Sequence, residues 1–411
     1  MVPNVPNWQQ KLFKNILKLD RGSSPRPIID FMTEEADGVN WIKIGDTKKG
    51  ELYINSTKEK ITLEGAKKSR KVSKGEIIVS NSMSYGQPYI LNIDGYIHDG
   101  WFVIRNYEKH FDKELLLQLL GSELIQRQYK RLAAGGVVSN ISSDLVYAVR
   151  VSIPPLPEQR KIAKILSTWD QAIATTERLI ATSQQQKKAL MQQLLTGKKR
   201  LVNPETGAVF EGNWKEVKLE KAVGKIYGGG TPSRSQNSYW NGDIPWVTVK
   251  DLISPLITDA QEHITLKGLQ ESSANIVPAG TVIIATRMAL GKAVIATCDV
   301  AINQDLKAIS SSERITSCFL HYWFLFKADH IEKMGTGSTV KGVQISSIKS
   351  LLIGLPTVKE QQKIASVLTA ADQEIERLEA KLAHLKDEKK ALMQQLLTGK
   401  RRVKVDAAEV A

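Results

Sequence analysis

Two long segments of the chain carry hydrophobic residues at alternating steps of three and four positions. In the first segment the apolar positions are Ile162, Leu166, Trp169, Ile173, Ile180, Leu190 and Leu194, with gaps at the polar residues Thr176, Ser183 and Lys187. In the second they are Ile364, Leu368, Ala371, Ile375, Leu378, Leu382, Leu385, Leu392 and Leu396. This spacing is typical of the buried seam of a coiled coil. At about 1.5 Å per residue, each segment predicts a helix of about 58 Å, and the two are predicted to pair antiparallel with each other.

The two segments are copies of one another. Residues 187–198 recur unchanged as residues 389–400, and the similarity continues backward through residues 158–170 and 360–372. Both copies end in Thr-Gly-Lys, in which the glycine suits the left-handed conformation that often terminates a helix. A repeat with a period of about half the chain indicates a duplicated architecture.

Each seam is interrupted by a charged residue, Lys187 in the first copy and Lys389 in the second. A charge at a seam position is costly unless it fixes the register of the helices or reaches a wet edge. We therefore interpret these lysines as register or edge residues.

The segment before each helix has the pattern of a mixed α/β domain. In the first, β-branched runs at residues 41–44, 76–79 and 101–104 predict strands, and residues 113–132 predict helix. The second segment is a divergent copy 205 residues later. The matched pairs are Trp41 with Trp246, Asp46 with Asp251, Gly75 with Gly280, Met83 with Met288, Gly86 with Gly291 and Asp94 with Asp299. Because the framework repeats while the polar loop residues differ, the two domains are predicted to read two different targets.

The sequence therefore predicts four parts. A first domain occupies residues 1–153, a first long helix residues 154–202, a second domain residues 203–354, and a second long helix with a tail residues 355–411. The predicted fold class is α+β: two similar mixed α/β domains separated by a pair of long antiparallel coiled-coil helices, with an internal pseudo-two-fold.

Composition narrows the choice of partner. The 411 residues carry a formal charge of +14 and a pI near 9.5, which favours nucleic acid or an anionic membrane surface. The most apolar run, residues 281–302, contains Arg287, Lys292 and Asp299, so it predicts strands of a globular core rather than a membrane span. Two cysteines and no leader at the start of the sequence favour a cytoplasmic protein.

Active-site motifs are missing from the sequence. Cys318 and His321 have half of a metal-ligand spacing, but no second close Cys/His pair accompanies them. The glycine runs at residues 228–230 and 335–337 lack the spacing of phosphate-binding loops, and no nucleophile elbow is present. The sequence predicts neither a catalytic residue nor a metal site.

One known family combines these features. The sequence motifs typical of this family are, in the second domain, Gly-Thr-Pro-Ser at residues 230–233, Tyr239-Trp240, Gly-Asp-Ile-Pro-Trp at residues 242–246 and Asp251. They are followed by Pro-x-x-x-Glu-Gln-x-Lys-Ile-Ala and a helix ending in Met-Gln-Gln-Leu-Leu-Thr-Gly. With this duplicated arrangement the chain resembles the specificity subunit of type I restriction–modification enzymes over nearly its whole length. The first domain departs from the pattern, since Ser24-Pro25 replaces Thr231-Pro232 and no Tyr-Trp pair precedes Trp41.

The resemblance implies a non-catalytic reader of double-stranded DNA. Each domain, a target-recognition domain in this family, would read one half of an asymmetric bipartite site, and the helices would fix the spacing of the halves. The helices would also bind two adenine-N6 methyltransferase subunits, and the complex would recruit ATP-dependent restriction subunits. No cofactor is expected in this chain, because S-adenosylmethionine, ATP and Mg would belong to the partner subunits.

Polar residues at the matched loop tips are the candidates for DNA contact, because such side chains reach base edges or offset phosphate charge. In the first domain they are Arg21, Ser24, Arg26, Asn81, Ser82 and Tyr85, and in the second Ser233, Arg234, Arg287 and Lys292. The residues assigned to partner binding on the helices are Leu190, Met191, Leu194, Leu392, Met393 and Leu396.

Two other functions are compatible with parts of the pattern. A helical scaffold could assemble protein partners without reading sequence, and it would bind target and random duplexes equally well. An autonomous nuclease or methyltransferase would need the motifs that are missing here.

Overall fold

The computed structural model describes residues 5–47, 50–81, 86–132, 141–337 and 341–405. Its strands are β1 Gln9–Leu12, β2 Lys18–Arg21, β3 Met32–Thr33, β4 Val39–Ile42, β5 Tyr53–Ile54, β6 Glu59–Ile61, β7 Arg70–Val72, β8 Ile77–Ser80, β9 Pro88–Leu91, β10 Gly95–Ile97, β11 Trp101–Arg105, β12 Arg150–Ile153, β13 Lys215–Lys218, β14 Ile226–Gly228, β15 Trp240–Val247, β16 Leu256–Ile257, β17 His263–Ile264, β18 Asn275–Val277, β19 Val282–Ala285, β20 Ala293–Ala296, β21 Val300–Ile302, β22 Leu306–Ile309 and β23 Leu352–Leu355. Its α-helices are α1 Leu63–Lys67, α2 Lys113–Leu120, α3 Glu123–Leu132, α4 Ser143–Tyr147, α5 Leu156–Leu194, α6 Leu219–Ala222, α7 Leu266–Gln270, α8 Ser317–Met334, α9 Ile345–Lys349 and α10 Val358–Leu396.

The two domains share their sheet topology, except that β3 of the first domain has no counterpart among the described strands of the second. A five-stranded sheet has the order β2-β11-β8-β9-β5 in the first domain and β14-β22-β19-β20-β16 in the second. A second sheet has the order β3-β6-β4-β10-β7 in the first domain and β17-β15-β21-β18 in the second. A two-stranded ladder, β1-β12 or β13-β23, joins the start of each domain to its end. The predicted α+β class and the duplication are confirmed.

The register of the strands repeats as well as their order. In the first domain the parallel pair β4/β10 places Trp41 opposite Tyr96, and in the second the pair β15/β21 places Trp246 opposite Ala301. Both partners are shifted by the same 205 residues. The two tryptophans are 2% and 3% exposed. The matched tryptophans are therefore equivalent core residues that fix the strands ending at the polar loops.

The predicted helical stretch at residues 113–132 consists of two helices, α2 and α3. The amide and the hydroxyl of Ser122 both donate to the carbonyl of Leu119, which ends the first helix. The carbonyl of Ser122 then accepts the first bonds of the second, from Ile125 and Gln126. In the second domain one longer helix, α8, follows β22 where the first domain has α2 and α3, and α9 comes after it.

Two compact units make up the chain. The first contains residues 1–176 and 381–411, and the second contains residues 177–380. Each unit therefore holds one α/β domain, one part of α5 and one part of α10. Within the first unit the end of α10 runs antiparallel to the start of α5, and within the second unit the end of α5 runs antiparallel to the start of α10, as the ion pairs below require.

The predicted seam positions lie inside the units. Ile162 and Leu166 of α5 are buried in the core of the first unit, and Ile364 and Leu368 of α10 are buried in the core of the second. Apolar burial of this kind supplies most of the stability of a long helix, because helix propensity alone is small.

The charged seam residues pair across the helices. Lys389 is 2.6 Å from Asp170 within the first unit. Lys187 forms the equivalent ion pair with Asp372 within the second unit. Each aspartate also accepts a hydrogen bond from its own domain: Asp170 from the Gln118 side chain at 2.6 Å, and Asp372 from the Tyr322 hydroxyl at 2.8 Å. Of the register and edge roles that we predicted for the two lysines, these pairs agree with the register role.

Within the described ranges, no helix combines the length and the apolarity that crossing a bilayer requires.

A buried histidine gives the second unit a pH-dependent stability. Burial in α8 lowers the pKa of His321 to about 4, against a weaker opposing effect of Asp372. Between pH 6.5 and pH 4 the His321 side chain is therefore protonated in the unfolded chain but neutral in the folded unit. Stability falls as the pH is lowered through that window. Between pH 7 and pH 4.5 we expect the unfolding free energy of the wild-type unit to fall by about 2–3 kcal/mol through His321. The variant His321→Phe should lack this loss, which urea unfolding of both proteins at the two pH values measures. Equal losses in the two proteins would contradict this assignment.

Candidate nucleic-acid interface

Four of the predicted DNA-contacting residues in the first domain meet at one turn, which follows β10. The Ser24 hydroxyl donates to Oδ1 of Asp99 at 3.0 Å, and Nη2 of Arg26 lies 3.7 Å from Oδ2 of the same side chain. The Asn81 amide and the Arg21 guanidinium donate to the backbone carbonyl of Asp99, at 2.7 Å and 3.3 Å. Residues that are up to 78 positions apart in sequence thus surround a single aspartate.

A glycine makes this convergence sterically feasible. A Cβ on Gly22 would lie 2.0 Å from the carbonyl oxygen of His98, so no other residue fits without moving the backbone. The Gly22 amide donates to the Trp101 carbonyl at 2.9 Å, and the next amide, that of Ser23, donates to Ile97 at 3.2 Å. The loop that carries Ser24 is therefore held against the turn between β10 and β11.

Asp99 is negatively charged at neutral pH. Partial burial raises the pKa of its carboxyl group, but hydrogen bonds from Ser24, His98 and its own backbone outweigh that effect, so the pKa lies below the usual value. The carboxylate offers only acceptors, and Arg21 and Arg26 beside it are exposed. The turn presents a hydrogen-bond acceptor between cations.

The second domain repeats this turn with different side chains. The Thr231 hydroxyl donates to Oε1 of Gln304 at 2.6 Å, as the Ser24 hydroxyl does to Asp99. A Cβ on Gly229 would lie 1.8 Å from the carbonyl oxygen of Ile302, so the same loop approaches the same strand end. Gln304 is exposed and follows β21, as Asp99 follows β10.

Of the residues predicted in the second domain, Arg287 lies beside this turn. Its Nη1 is 3.4 Å from Oδ1 of Asp305, and the Thr286 amide donates to the Asp305 carbonyl at 2.9 Å. Lys292 lies elsewhere, with its Nζ donating to the Leu252 carbonyl at 3.0 Å.

Arg234 stacks on two tryptophans instead of joining the turn. Its guanidinium lies 3.8 Å from the ring centre of Trp240 and 5.2 Å from that of Trp246, and it forms a bidentate pair with Glu262. The hydrogen bond to the Glu262 carboxylate raises the pKa of Arg234, and the same contact lowers the pKa of Glu262. The neighbouring Ser233 hydroxyl lies 2.9 Å from that of Ser235. The predicted residues Ser82 and Tyr85 lie outside the described residues.

Each unit closes its helix pair with an arginine that follows one long helix. In the second unit, Arg200 donates to the carboxylate of Glu360 through Nε at 2.6 Å and Nη2 at 2.8 Å. The Trp214 indole donates to the same carboxylate at 3.2 Å, and Arg200 lies 5.7 Å from its ring centre. The glutamate side chain is 1% exposed.

The first unit contains the same closure from different parts of the chain. Arg402 donates to the Glu158 carboxylate through Nε at 2.6 Å and Nη2 at 2.8 Å. The Trp8 indole donates to it at 3.0 Å. In the first unit the two residues that contact Glu158 therefore come from near opposite ends of the chain. In the second unit the two residues that contact Glu360 come from the continuous segment 200–214. We call each arginine, glutamate and tryptophan set a helix-end clamp.

The helix residues assigned to partner binding lie against the units themselves. Leu194 and Leu396 are buried, and the other four (Leu190, Met191, Leu392 and Met393) are half-buried against the same cores. A partner that docks on these turns would contact the half-buried four and the exposed side chains around them. Their role in binding stays a prediction.

Comparison with known proteins decides the family. The model of the type I restriction modification DNA specificity domain matches residues 7–182 and again residues 211–387. The chain belongs to this family. Two copies of the domain in one chain account for the duplicated sheets, turns and helix-end clamps described above.

Relatives and solved structures agree with this assignment. The chain is 28% identical to the putative type I restriction enzyme MjaX specificity subunit of Methanocaldococcus jannaschii, over 97% of the chain and 94% of that protein. It is 36% identical to the MjaIX specificity subunit of the same organism, over 39% of the chain and 38% of that protein. The HsdS subunit of Thermoanaerobacter tengcongensis has a TM-score of 0.52 at 21% identity, covering 96% of the chain and 98% of that structure. At that identity the structural likeness shows the fold alone.

Family membership gives the specificity subunit its role in DNA target recognition and makes it the non-catalytic component of its system. The prediction that the chain itself performs no reaction is confirmed on this ground. The scaffold alternative is not favoured.

Asp99 and Gln304 themselves were not among the residues predicted from the sequence. They occupy equivalent positions but differ in type, so identity between the two copies does not mark them. The available signal was the Ile97 and Ile302 match at the same 205-residue offset, two positions before each of them.

Proposed function

We propose that this specificity subunit reads an asymmetric bipartite site in duplex DNA, one half with each α/β domain. The observation that carries the proposal is the duplicated turn: the backbone and the supporting hydroxyl repeat, whereas the presented side chain is Asp99 in one domain and Gln304 in the other. Two equal scaffolds with different hydrogen-bonding groups suit two different base sequences.

The parts of the chain divide this work. Residues 1–153 and 203–354 form the two target-recognition domains, and residues 154–202 and 355–411 carry the helices that set the spacing between the two half-sites. Among the predicted contacts, Arg21, Arg26 and Arg287 stand beside the two turns and suit phosphate or base contacts. The formal charge of +14 supports binding to phosphates and predicts strong dependence on salt.

The helices also provide the surface for partner proteins. The identical residues 187–198 and 389–400 are consistent with docking two copies of one partner, the methyltransferase subunit, and restriction subunits would join that complex. S-adenosylmethionine, ATP and Mg would be bound by those subunits. The methyl groups deposited on DNA then report which sequence this chain reads.

The test is to sequence the adenine methylation of a strain that gains and loses only this gene, with its methyltransferase partner present throughout. We expect one bipartite adenine motif to appear and disappear with the gene. A methylome that does not change would overturn the proposal. Equal competition by target and random duplexes for the purified complex would favour the scaffold instead.

A further inference from the structure

We propose that Asp99 and Gln304 are the equivalent base-reading residues of the two domains, with Asp99 accepting from the N4 amino group of a cytosine and Gln304 pairing with the N6/N7 edge of an adenine. The inference rests on the proposed function and assigns a base to each of two residues.

The two residues are structurally equivalent. Each lies two positions beyond the last residue of a strand, Ile97 of β10 or Ile302 of β21, and these strands pair in parallel with the strands that carry the matched tryptophans. Each accepts a hydrogen bond from a hydroxyl on the glycine loop, that of Ser24 or Thr231. The scaffold places both side chains alike.

The backbone of each turn is also held by a hydrogen bond from a side chain. The Asn81 amide donates to the Asp99 carbonyl at 2.7 Å, and the Lys307 ammonium donates to the Gln304 carbonyl at 3.0 Å. A group that reads a base must keep its position to within a fraction of an ångström, and these second contacts provide that restraint. The presented side chains are therefore preorganised.

The residues next to Asp99 and Gln304 in sequence make their contacts within the protein. In the first turn, His98 is packed between Trp41 and Trp101, with ring centres at 6.2 Å and 6.3 Å. In the second turn, Asn303 donates from Nδ2 to Oδ2 of Asp305 at 3.2 Å, and Asp305 is also paired with Arg287. The Asp99 side chain is 44% exposed and Gln304 is exposed, so both stay accessible from outside their turns.

Asp99 has the chemistry to select cytosine. Its ionised carboxylate can only accept, and Ser24 occupies Oδ1 from one side. In the major groove a cytosine presents an amino donor at N4, whereas an adenine places the N7 acceptor beside its amino group, which repels a carboxylate. The adjacent Arg26 offsets the charge of the carboxylate near phosphates.

Gln304 has the chemistry to select adenine. The Thr231 hydroxyl donates to its Oε1, which orients the amide and leaves the Nε2 donors and a second Oε1 lone pair. A glutamine amide so oriented accepts from adenine N6 and donates to N7 at the same time. Neither hydroxyl reads the base directly, so Ser24 and Thr231 are positioning residues.

The experiment is methylome sequencing of the same strain with four variants of the full chain: Gln304→Ala, Thr231→Val, Asp99→Asn and Ser24→Ala. We expect Gln304→Ala to make one fixed adenine of one half-site degenerate, with discrimination falling about tenfold to a hundredfold. Thr231→Val should weaken the same position. Asp99→Asn should replace one fixed cytosine of the other half-site by adenine, and Ser24→Ala should weaken that position. The variants in one domain are the matched controls for those in the other.

Several results would overturn the inference. Methylation of the unchanged motif by Gln304→Ala and Asp99→Asn would show that neither residue reads a base. Altered spacing, changes in both halves from one substitution, or loss of all methylation in all four variants would show a structural role instead. A wild-type chain that produces no bipartite motif would defeat the proposed function itself, and this outcome is distinguishable because it needs no variant.

Discussion

Replacing Arg200 by methionine is expected to lower the unfolding free energy of the second unit by about 3–5 kcal/mol. The substitution keeps most of the side-chain volume but removes both guanidinium hydrogen bonds to Glu360. The glutamate side chain is 1% exposed and would retain only the Trp214 indole among the side-chain donors described here. A buried carboxylate without its cation is much less stable than the intact pair, which is why the expected loss is large.

Hydrogen exchange followed by mass spectrometry measures this loss where it occurs. Exchange should accelerate in β13 and β23, which pair next to Trp214, and not in β1 and β12 of the first unit. Arg402→Met should produce the reverse pattern, because it removes the same contacts from Glu158. The double variant Arg200→Met/Glu360→Gln should regain part of the stability, since it no longer leaves a bare charge.

An exposed ion pair in the same unit is the control. Lys359 and Glu205 are 2.6 Å apart, as close as Arg200 and Glu360, but their side chains are 65% and 62% exposed. Lys359→Met should cost less than about 1 kcal/mol. If Arg200→Met and Lys359→Met had equal effects, burial would not be what makes the helix-end clamp strong.

The periodic part of the sequence predicted the helices and their pairing well. The heptad seam identified Ile162, Leu166, Ile364 and Leu368 as core residues, because apolar spacing follows directly from helix geometry. The lysines at the seam signalled a register role, but their partners Asp170 and Asp372 could not be chosen from the sequence. Choosing them requires knowing how far one helix is shifted along the other.

The domains could be predicted as a duplication more easily than as a fold. The 205-residue offset located Trp41 and Trp246, whose equivalence the strand register bears out. The candidate site was only partly accessible, because Arg21, Ser24, Arg26 and Asn81 meet at Asp99 through loops that no sequence period describes. The glycine loops also follow a different offset, 207 residues between Ser24 and Thr231, so one alignment could not match both loop and turn.

Replacing the whole first domain is expected to change one half of the recognised DNA site completely. The structure defines the block to exchange. Strand β12 ends at Ile153 and pairs with β1, so the donor domain must supply residues 1–153 together. The donor also needs a tryptophan equivalent to Trp8, because its indole donates to Glu158 at the start of the retained helix. With these contacts kept, the helices and the second domain are unaltered.

The reciprocal chimera is the matched control. Its block runs from residue 203 to Leu355, so that β13 and β23 are exchanged as a pair and Trp214 or its equivalent still donates to Glu360. We expect it to change the other half-site only. The half-site that each domain reads is thereby assigned without any variant at a single loop residue.

The most direct measurement of the central claim is the methylome of three strains that differ only in this gene: the parent chain, the 1–153 chimera and the 203–355 chimera. We expect three bipartite adenine motifs with the same spacing, in which each chimera shares one half with the parent and the two chimeras retain opposite halves. Motifs in which one exchange alters both halves, or neither half, would contradict the claim that each domain reads its own half of the site.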